Sequence, residues 1–269
     1  MKRHFISGTS AAKGIIIAMM IAVPAYGLTP QAQRGLDIAT ETDRKDSGFG
    51  DYRVQGKMTL KSPNGDTSYR SFTMKTLEVS GDGDKRIVRF DEPKDLSGMV
   101  SLTYSHGLKP DDQWLYLPAL GRVKRLAARD KTGSFAGSEF SFEDIATFEV
   151  NKYTYQYLRD DNLDGKSAFV LENKPAYAYS GYSRIMEWED QTVYQPVRLL
   201  YYDVADRPFK ELRLYNYAQF LGQYWRPMKI VMRNLQTGAE STIEWSNYQF
   251  RTGQKETQFQ PDALEQWSN

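Results

Sequence analysis

The strongest constraint on the fold is a succession of strand-length segments, each followed by turn residues, that occupies most of the chain. In residues 52–62, Val54 and Met58 fall on one face of an amphipathic strand. Asn64-Gly65 then favours a hairpin turn, because both residues accept positive φ. Further strand-like segments are 151–159, 166–172, 180–190, 193–203, 208–217, 226–235 and 239–250. The pattern predicts an antiparallel sandwich or a barrel-like sheet.

Two segments depart from this pattern. Residues 30–46 are predicted to form a helix, because Thr29 can cap its first turn and Pro30 suits the first helical position. Residues 111–148 are irregular, with a short helix predicted to begin near Ser141. Long irregular segments in compact domains are often functional, so this central segment is the first place to look for a site.

Residues 1–27 have the pattern of a secretory signal peptide. Three basic residues precede an apolar run of ten residues at 14–23, which is shorter than the roughly 20 residues that span a bilayer. Ala25 and Gly27 then supply the small residues of a cleavage site. An uncleaved N-terminal anchor is the alternative. We therefore expect export to the periplasm of a Gram-negative cell, with residues 28–269 forming one soluble domain.

The composition excludes several classes of function. The chain has no cysteine, which rules out disulfides, thiol catalysis and an acylated N-terminal cysteine. Its 35 basic and 34 acidic residues nearly balance, whereas a nucleic-acid-binding surface is usually basic. The 13 Phe, 18 Tyr and 5 Trp residues favour sheets and amphipathic cavity walls.

Candidate catalytic and metal-binding patterns are weak. His106, the one histidine beyond residue 27, lies in a Ser-His-Gly stretch and is expected to be a surface turn residue. Residues 160–165 begin like a calcium loop, but Leu171 stands where that loop needs Glu, so a solvated hairpin turn is favoured. Three carboxylates of the central segment could supply an acid/base pair, although caps are commoner there: Glu139, Glu143 and Asp144. We predict no metal, no cofactor and no enzymatic activity.

Two further groups in the central segment have alternative interpretations. Arg122, Lys124, Arg125 and Arg129 form a basic cluster. They could pair locally with the three carboxylates, or they could contact an acidic partner or lipid head groups. The apolar residues just before them could belong to the core or line an apolar ligand cavity: Trp114, Tyr116 and Leu117.

The order of motifs across the central segment resembles the outer-membrane lipoprotein-sorting protein family. Its usual pattern is W-x-Y-x-P, a basic pair and a G-S-D-F…E-D run. The matching residues here are Trp114-Leu115-Tyr116-Leu117-Pro118, Lys124-Arg125, Gly137-Ser138-Glu139-Phe140 and Glu143-Asp144. Glu139 stands where Asp is common, and Lys124 where Arg is common.

The resemblance implies a fold like that of LolA and LolB. This is a mostly β fold, an open incomplete antiparallel β-barrel of about 10–12 strands, in which short helices cover the concave face. It also implies an apolar cavity for acyl chains. Cargo-binding residues are then expected to be Trp114, Tyr116, Leu117, Phe135 and Phe140. Head-group or partner contacts are expected from Arg122, Lys124 and Arg125.

Three functions follow, in order of preference. The first is a monomeric periplasmic carrier or chaperone that binds a lipid or lipoprotein and transfers it between the inner and outer membranes. The second is a non-enzymatic accessory subunit that docks on an inner-membrane exporter of the RND/MMPL type through residues 119–148. The third is an envelope hydrolase, which would need a convergent acid/base pair.

Overall fold

The computed structural model describes residues 27–107 and 109–268, together with Met1. The predicted signal peptide therefore lies outside the described residues, apart from its two ends. Within the described part, thirteen strands form one antiparallel sheet that does not close into a barrel. The first six strands are β1 (Asp51–Lys61), β2 (Thr67–Leu77), β3 (Lys85–Glu92), β4 (Val100–Tyr104), β5 (Asp112–Leu117) and β6 (Arg122–Arg125).

The second half of the chain supplies the other strands. They are β7 (Tyr153–Leu163), β8 (Lys166–Pro175), β9 (Tyr182–Asp190), β10 (Pro196–Asp203), β11 (Pro208–Phe220), β12 (Tyr224–Asn234) and β13 (Glu240–Phe250). Across the sheet the order is β6-β5-β4-β3-β2-β1-β13-β12-β11-β10-β9-β8-β7. The predicted open antiparallel sheet is confirmed. Its strands in the described residues exceed the predicted number, because Arg122–Arg125 forms an edge strand as well as a basic cluster.

Alternation along the strands gives the sheet two apolar faces. Val88 and Phe90 of β3 belong to the main core, whereas Ile87, the residue just before Val88, belongs to a second cluster. We call the face with Val88 the inner face and the opposite one the outer face. Gly56 makes room on the inner face, because a Cβ there would lie 2.3 Å from the ring of Phe72.

Helix α1 (Pro30–Asp46) begins where the sequence predicts. The Thr29 side chain accepts a hydrogen bond from the Ala32 amide at 3.2 Å, and Pro30 starts the helix. The helix packs closely on β7 because Gly35 lacks a side chain: a Cβ there would lie 2.9 Å from the Tyr157 nitrogen. Its last residue, Asp46, forms an ion pair with Arg226 of β12. The helix therefore extends from one sheet edge toward the middle strands.

The other two helices are short. Helix α2 (Phe142–Ile145) begins after Ser141, as predicted, and Ser141 and Asp144 form a capping box. Helix α3 (Leu264–Ser268) packs against β4, β5 and β6 and buries Leu264 in the outer-face cluster. Short helices therefore cover both faces, rather than the concave face alone. In the described segments, no helix has the length and apolar character needed to cross a membrane.

The central segment fills part of the inner face. Phe135 is almost completely buried, and its ring centroid lies 5.4 Å from that of Phe90 and 5.4 Å from that of Phe142. Phe140 joins the same core. Because these rings pack over the β1–β3 side, the space beside β8–β11 remains open.

Candidate functional site

A cavity of about 730 Å³ lies on the inner face between α1 and strands β8–β11. Helix α1 contributes Ala39 and Thr42 to its wall, and residues 143–153 of the chain form another side. The sheet supplies the apolar part of the wall, which comprises Leu171, Ile185, Leu199, Tyr201, Leu212 and Leu214. This volume falls in the range of sites that hold small-molecule ligands.

Two carboxyl groups project into the cavity from β9. Glu187 and Glu189 are separated by one residue, so both lie on the inner face, and they are 9% and 1% exposed. Burial raises the pKa of both groups, and the neighbouring charge of Glu187 raises the pKa of Glu189 further. In the described chain, neither carboxyl group forms an ion pair with Lys or Arg.

One hydroxyl group and one side-chain amide donate hydrogen bonds to the two carboxyl groups. The Thr42 hydroxyl of α1 donates to Glu189 at 2.6 Å. The Asn173 amide nitrogen on β8 donates to Glu187. Asn173 is 2% exposed and lines the cavity, and its Oδ1 atom has no hydrogen-bond partner among the described residues. This part of the cavity therefore offers more hydrogen-bond acceptors than donors.

A second acidic group lies where the β2–β3 hairpin meets residues 146–149. Burial raises the pKa of Asp84 to about 6, and nearby Glu78 and Asp46 add to that effect. Burial and the neighbouring Asp84 raise the pKa of Glu149 to about 7. The two segments pack closely, since a Cβ at Gly83 would lie 2.6 Å from Glu149 Oε1.

The carboxylates of the G-S-E-F…E-D run hold the central segment in place. Glu139 accepts a hydrogen bond from Asn234 at 2.9 Å. Glu143 accepts from the Tyr177 hydroxyl at 2.6 Å and from the Gly181 amide at 2.9 Å. Asp144 forms a buried ion pair with Lys210. Each carboxylate thus has its own structural partners, and the three do not converge as an acid/base pair.

The structure divides the five predicted cargo-binding residues between two faces. Trp114 and Tyr116 pack in the outer-face cluster with Phe259. Leu117, Phe135 and Phe140 belong to or pack against the inner-face core. Within the described residues, none of the five lines the cavity. Their role in cargo binding stays a prediction, and the cavity identifies other residues as candidates.

The three predicted head-group residues lie together on the edge strand β6. Arg122 and Lys124 are exposed. Arg125 forms an ion pair with Asp112 of β5. The alternative of a local network with the carboxylates of the G-S-E-F…E-D run is wrong for the described structure, because those carboxylates bind residues of β9, β11 and β12 or of the segment before β9.

His106 is buried rather than exposed at a surface turn. It is 6% exposed, and its Nδ1 lies 2.7 Å from Asp82 and its Nε2 3.2 Å from Asp112. The imidazole thus ties the β2–β3 hairpin to β5. The calcium-like stretch at 160–165 comprises the end of β7 and the β7–β8 hairpin turn that was predicted, with Asp164 at φ 53° and Gly165 at φ 84°. No cluster of metal-ligating side chains occurs in residues 27–107 and 109–268.

Comparison with known proteins identifies the family. A family model described as an uncharacterized protein matches residues 82–266. A Vibrio parahaemolyticus structure, described as an outer membrane lipoprotein-sorting protein domain, is 42% identical with a TM-score of 0.85, covering 87% of this chain and 99% of its own. A DUF1329 protein from Desulfovibrio piger is 28% identical with a TM-score of 0.83, covering 88% and 100%. The chain belongs to the DUF1329 family.

The fold of this DUF1329 protein is also that of the LolA superfamily. A LolA superfamily protein from Nitrosomonas europaea matches with a TM-score of 0.68 at 23% identity, covering 87% of this chain and 99% of its own. No curated protein matches the chain. The resemblance to outer-membrane lipoprotein-sorting proteins, stated from the central motifs, is thus confirmed.

The sequence analysis missed the residues that line the cavity. Glu187 and Glu189 alternate with Met186 and Trp188 inside a predicted strand, and that alternation already places both carboxylates on one face. Such alternation usually marks a solvent-facing polar side of a strand, so the sequence indicates that the two carboxylates share a face but not that this face is buried. The contribution of α1 has no comparable signal, because its position over β9 depends on tertiary packing.

Proposed function

We propose that the protein is a periplasmic carrier that holds a hydrophobic or lipidated cargo in the inner-face cavity and transfers it between the two membranes. One observation carries the proposal: the central segment fills the inner face beside β1–β3 but leaves about 730 Å³ beside β8–β11. Export through residues 1–27 would place the carrier in the periplasm.

The chemistry of the walls supports this use. Leu199, Leu212 and Leu214 present aliphatic surface to the cavity, and each methylene that cargo buries there contributes roughly 0.8 kcal/mol. The relatives add support, because the Vibrio parahaemolyticus domain is described as lipoprotein-sorting and the Nitrosomonas europaea protein as a member of the LolA superfamily.

Filling the cavity tests the proposal. Leu199 of β10 faces the cavity, whereas its neighbour Leu200 packs in a cluster on the outer face. A neutral pyrene-labelled decanol serves as the probe. Leu199→Trp should weaken probe binding at least about tenfold, which is about 1.4 kcal/mol, while Leu200→Trp should leave it within about twofold of the wild-type value. If the wild-type protein does not bind the probe, the carrier function is wrong.

A second candidate function is docking on an inner-membrane exporter of the RND/MMPL type. The observation that favours it is β6, an edge strand whose Arg122 and Lys124 are exposed, because exposed basic side chains complement an acidic partner surface. Arg122→Glu/Lys124→Glu should abolish crosslinking to such a partner and leave probe binding intact. Deleting residues 128–138 from the proposed docking segment is not a suitable test of docking, because it also removes the buried Phe135.

A further inference from the structure

The cavity has a strong excess of acidic side chains. Among the described residues, its wall includes eleven acidic side chains, Glu187 and Glu189 among them, against the two basic residues Arg86 and Lys152. Both basic groups are already engaged, because Lys152 pairs with Asp111 and Arg86 donates to the Ile145 carbonyl at 2.6 Å. Acidic side chains thus far outnumber basic ones on the described part of this wall, which favours a cationic head group over an anionic one.

Several of these carboxylates already have partners of their own. Asp46, Asp111 and Asp144 form ion pairs with Arg226, Lys152 and Lys210. The Glu187–Glu189 pair differs, because in the described chain its hydrogen bonds come only from the neutral Thr42 and Asn173 side chains and from a proton shared within the pair. A carboxyl pair buried without a cation costs free energy, since burial penalises the charged form. A bound cation would relieve that cost.

A separate observation at the same place points to a ligand. Asn173 Oδ1 is buried in the cavity wall and has no hydrogen-bond partner in the described residues. Buried polar atoms are nearly always hydrogen-bonded, so an orphaned acceptor calls for a donor from elsewhere. Because the Asn173 amide nitrogen binds Glu187, the orphaned oxygen belongs to a side chain in direct contact with the carboxyl pair, and we expect a ligand group bound to the pair to donate to it.

We propose that the cargo is an amphiphile with a protonated amine, whose ammonium group binds Glu187, Glu189 and Asn173 while its hydrocarbon part packs on Leu199, Leu212 and Leu214. An ammonium group has three donors and no acceptor, which complements three acceptor-bearing side chains. This assignment rests on the proposed carrier function and specifies its cargo class. It excludes fatty acids and other anionic lipids as preferred cargo.

The test compares three ligands of equal chain length on the full mature protein: decylamine, decanol and decanoate. Isothermal titration calorimetry is run at about pH 8, where the amine is protonated and the acid ionised. Decylamine should bind at least about tenfold more tightly than decanoate, with decanol between them. Equal or tighter binding of decanoate would overturn the assignment while leaving the carrier function standing. Failure of all three ligands to bind would overturn the carrier function itself.

Two double variants test whether Glu187 and Glu189 cause the preference for decylamine. Glu187→Gln/Glu189→Gln keeps the size of both side chains and one acceptor oxygen on each, and it should reduce decylamine affinity at least about fivefold while decanol affinity stays within about twofold. Glu240→Gln/Glu244→Gln on β13, which makes the same change of charge away from the cavity, should leave all three affinities unchanged. If the amine preference survives in Glu187→Gln/Glu189→Gln, the assignment to this pair is wrong; unchanged decanol binding verifies that the cavity is intact.

Discussion

Lys210 and Asp144 form an ion pair inside the protein, with Nζ 2.6 Å from Oδ2 and side-chain exposures of 2% and 5%. Asp144 also accepts a hydrogen bond from the Tyr182 hydroxyl at 2.8 Å. Because Asp144 ends the G-S-E-F…E-D run and Lys210 lies on β11, the pair fixes the central segment to the far half of the sheet. The family motif thus positions the segment that borders the cavity.

Breaking this pair should be costly. Lys210→Met leaves Asp144 buried without a cation, and we expect a loss of about 3–5 kcal/mol in the free energy of unfolding. Lys210→Met/Asp144→Asn removes both charges, keeps an acceptor oxygen for Ser141 and Tyr182, and should recover part of that loss. Urea denaturation followed by tryptophan fluorescence measures both. A double variant less stable than Lys210→Met would contradict the pairing.

The buried carboxyls near the hairpin should make stability depend on pH. Asp84 and Glu149 have ordinary pKa values of 3.8 and 4.5, which rise to about 6 and about 7 in the folded protein. Between about pH 4 and pH 7 the unfolded chain releases protons that the folded state retains, so these groups make stability fall as pH rises through that window.

Asp84→Asn removes the contribution of one of these two groups. We expect it to raise the free energy of unfolding by about 1–3 kcal/mol at about pH 8 and by little at about pH 4. The control is Asp95→Asn, an exposed carboxylate, which should change neither value. Equal destabilisation by Asp84→Asn at both pH values would show that the carboxyl group acts through its hydrogen bond to Val79 rather than through its charge.

Close packing of α1 on β7 should depend on Gly35. In Gly35→Val the new side chain meets the backbone of Tyr157, and we expect a loss of about 1–3 kcal/mol together with weaker binding of the pyrene-labelled decanol, because α1 forms one wall of the cavity. Gln33→Val adds the same side chain at an exposed position of the helix. If the two variants have the same melting temperature and probe affinity, α1 does not require close contact here.

Helix starts and hairpin turns were predictable from the sequence, because they depend on residues that are close together in the chain. Thr29-Pro30 and Ser141 mark helix starts, and Asn64-Gly65 marks a hairpin, because caps and turns depend on neighbouring residues. The faces of β5 were not predictable, since a strand with apolar residues on both sides does not show which side belongs to the inner face of the sheet. Trp114 packs outward only because residues 256–268 return to cover it.

Outer-face packing should therefore be separable from cargo binding. Phe259→Ala opens a hole beneath Trp114 and Tyr116, and we expect it to cost about 3–5 kcal/mol, because Phe259 is completely buried. Affinity for the pyrene-labelled decanol, measured on the folded protein at low temperature, should stay within about twofold of the wild-type value. A large loss of affinity would instead support the prediction that Trp114 and Tyr116 bind cargo.

Native mass spectrometry of protein extracted gently from periplasm tests the central claim most directly. We predict that the wild-type protein carries a bound lipid or other amphiphile, that Leu199→Trp carries much less of it, and that Leu200→Trp carries as much as wild type. The account would be contradicted if the wild-type protein is recovered only without ligand and acyl probes also fail to bind it.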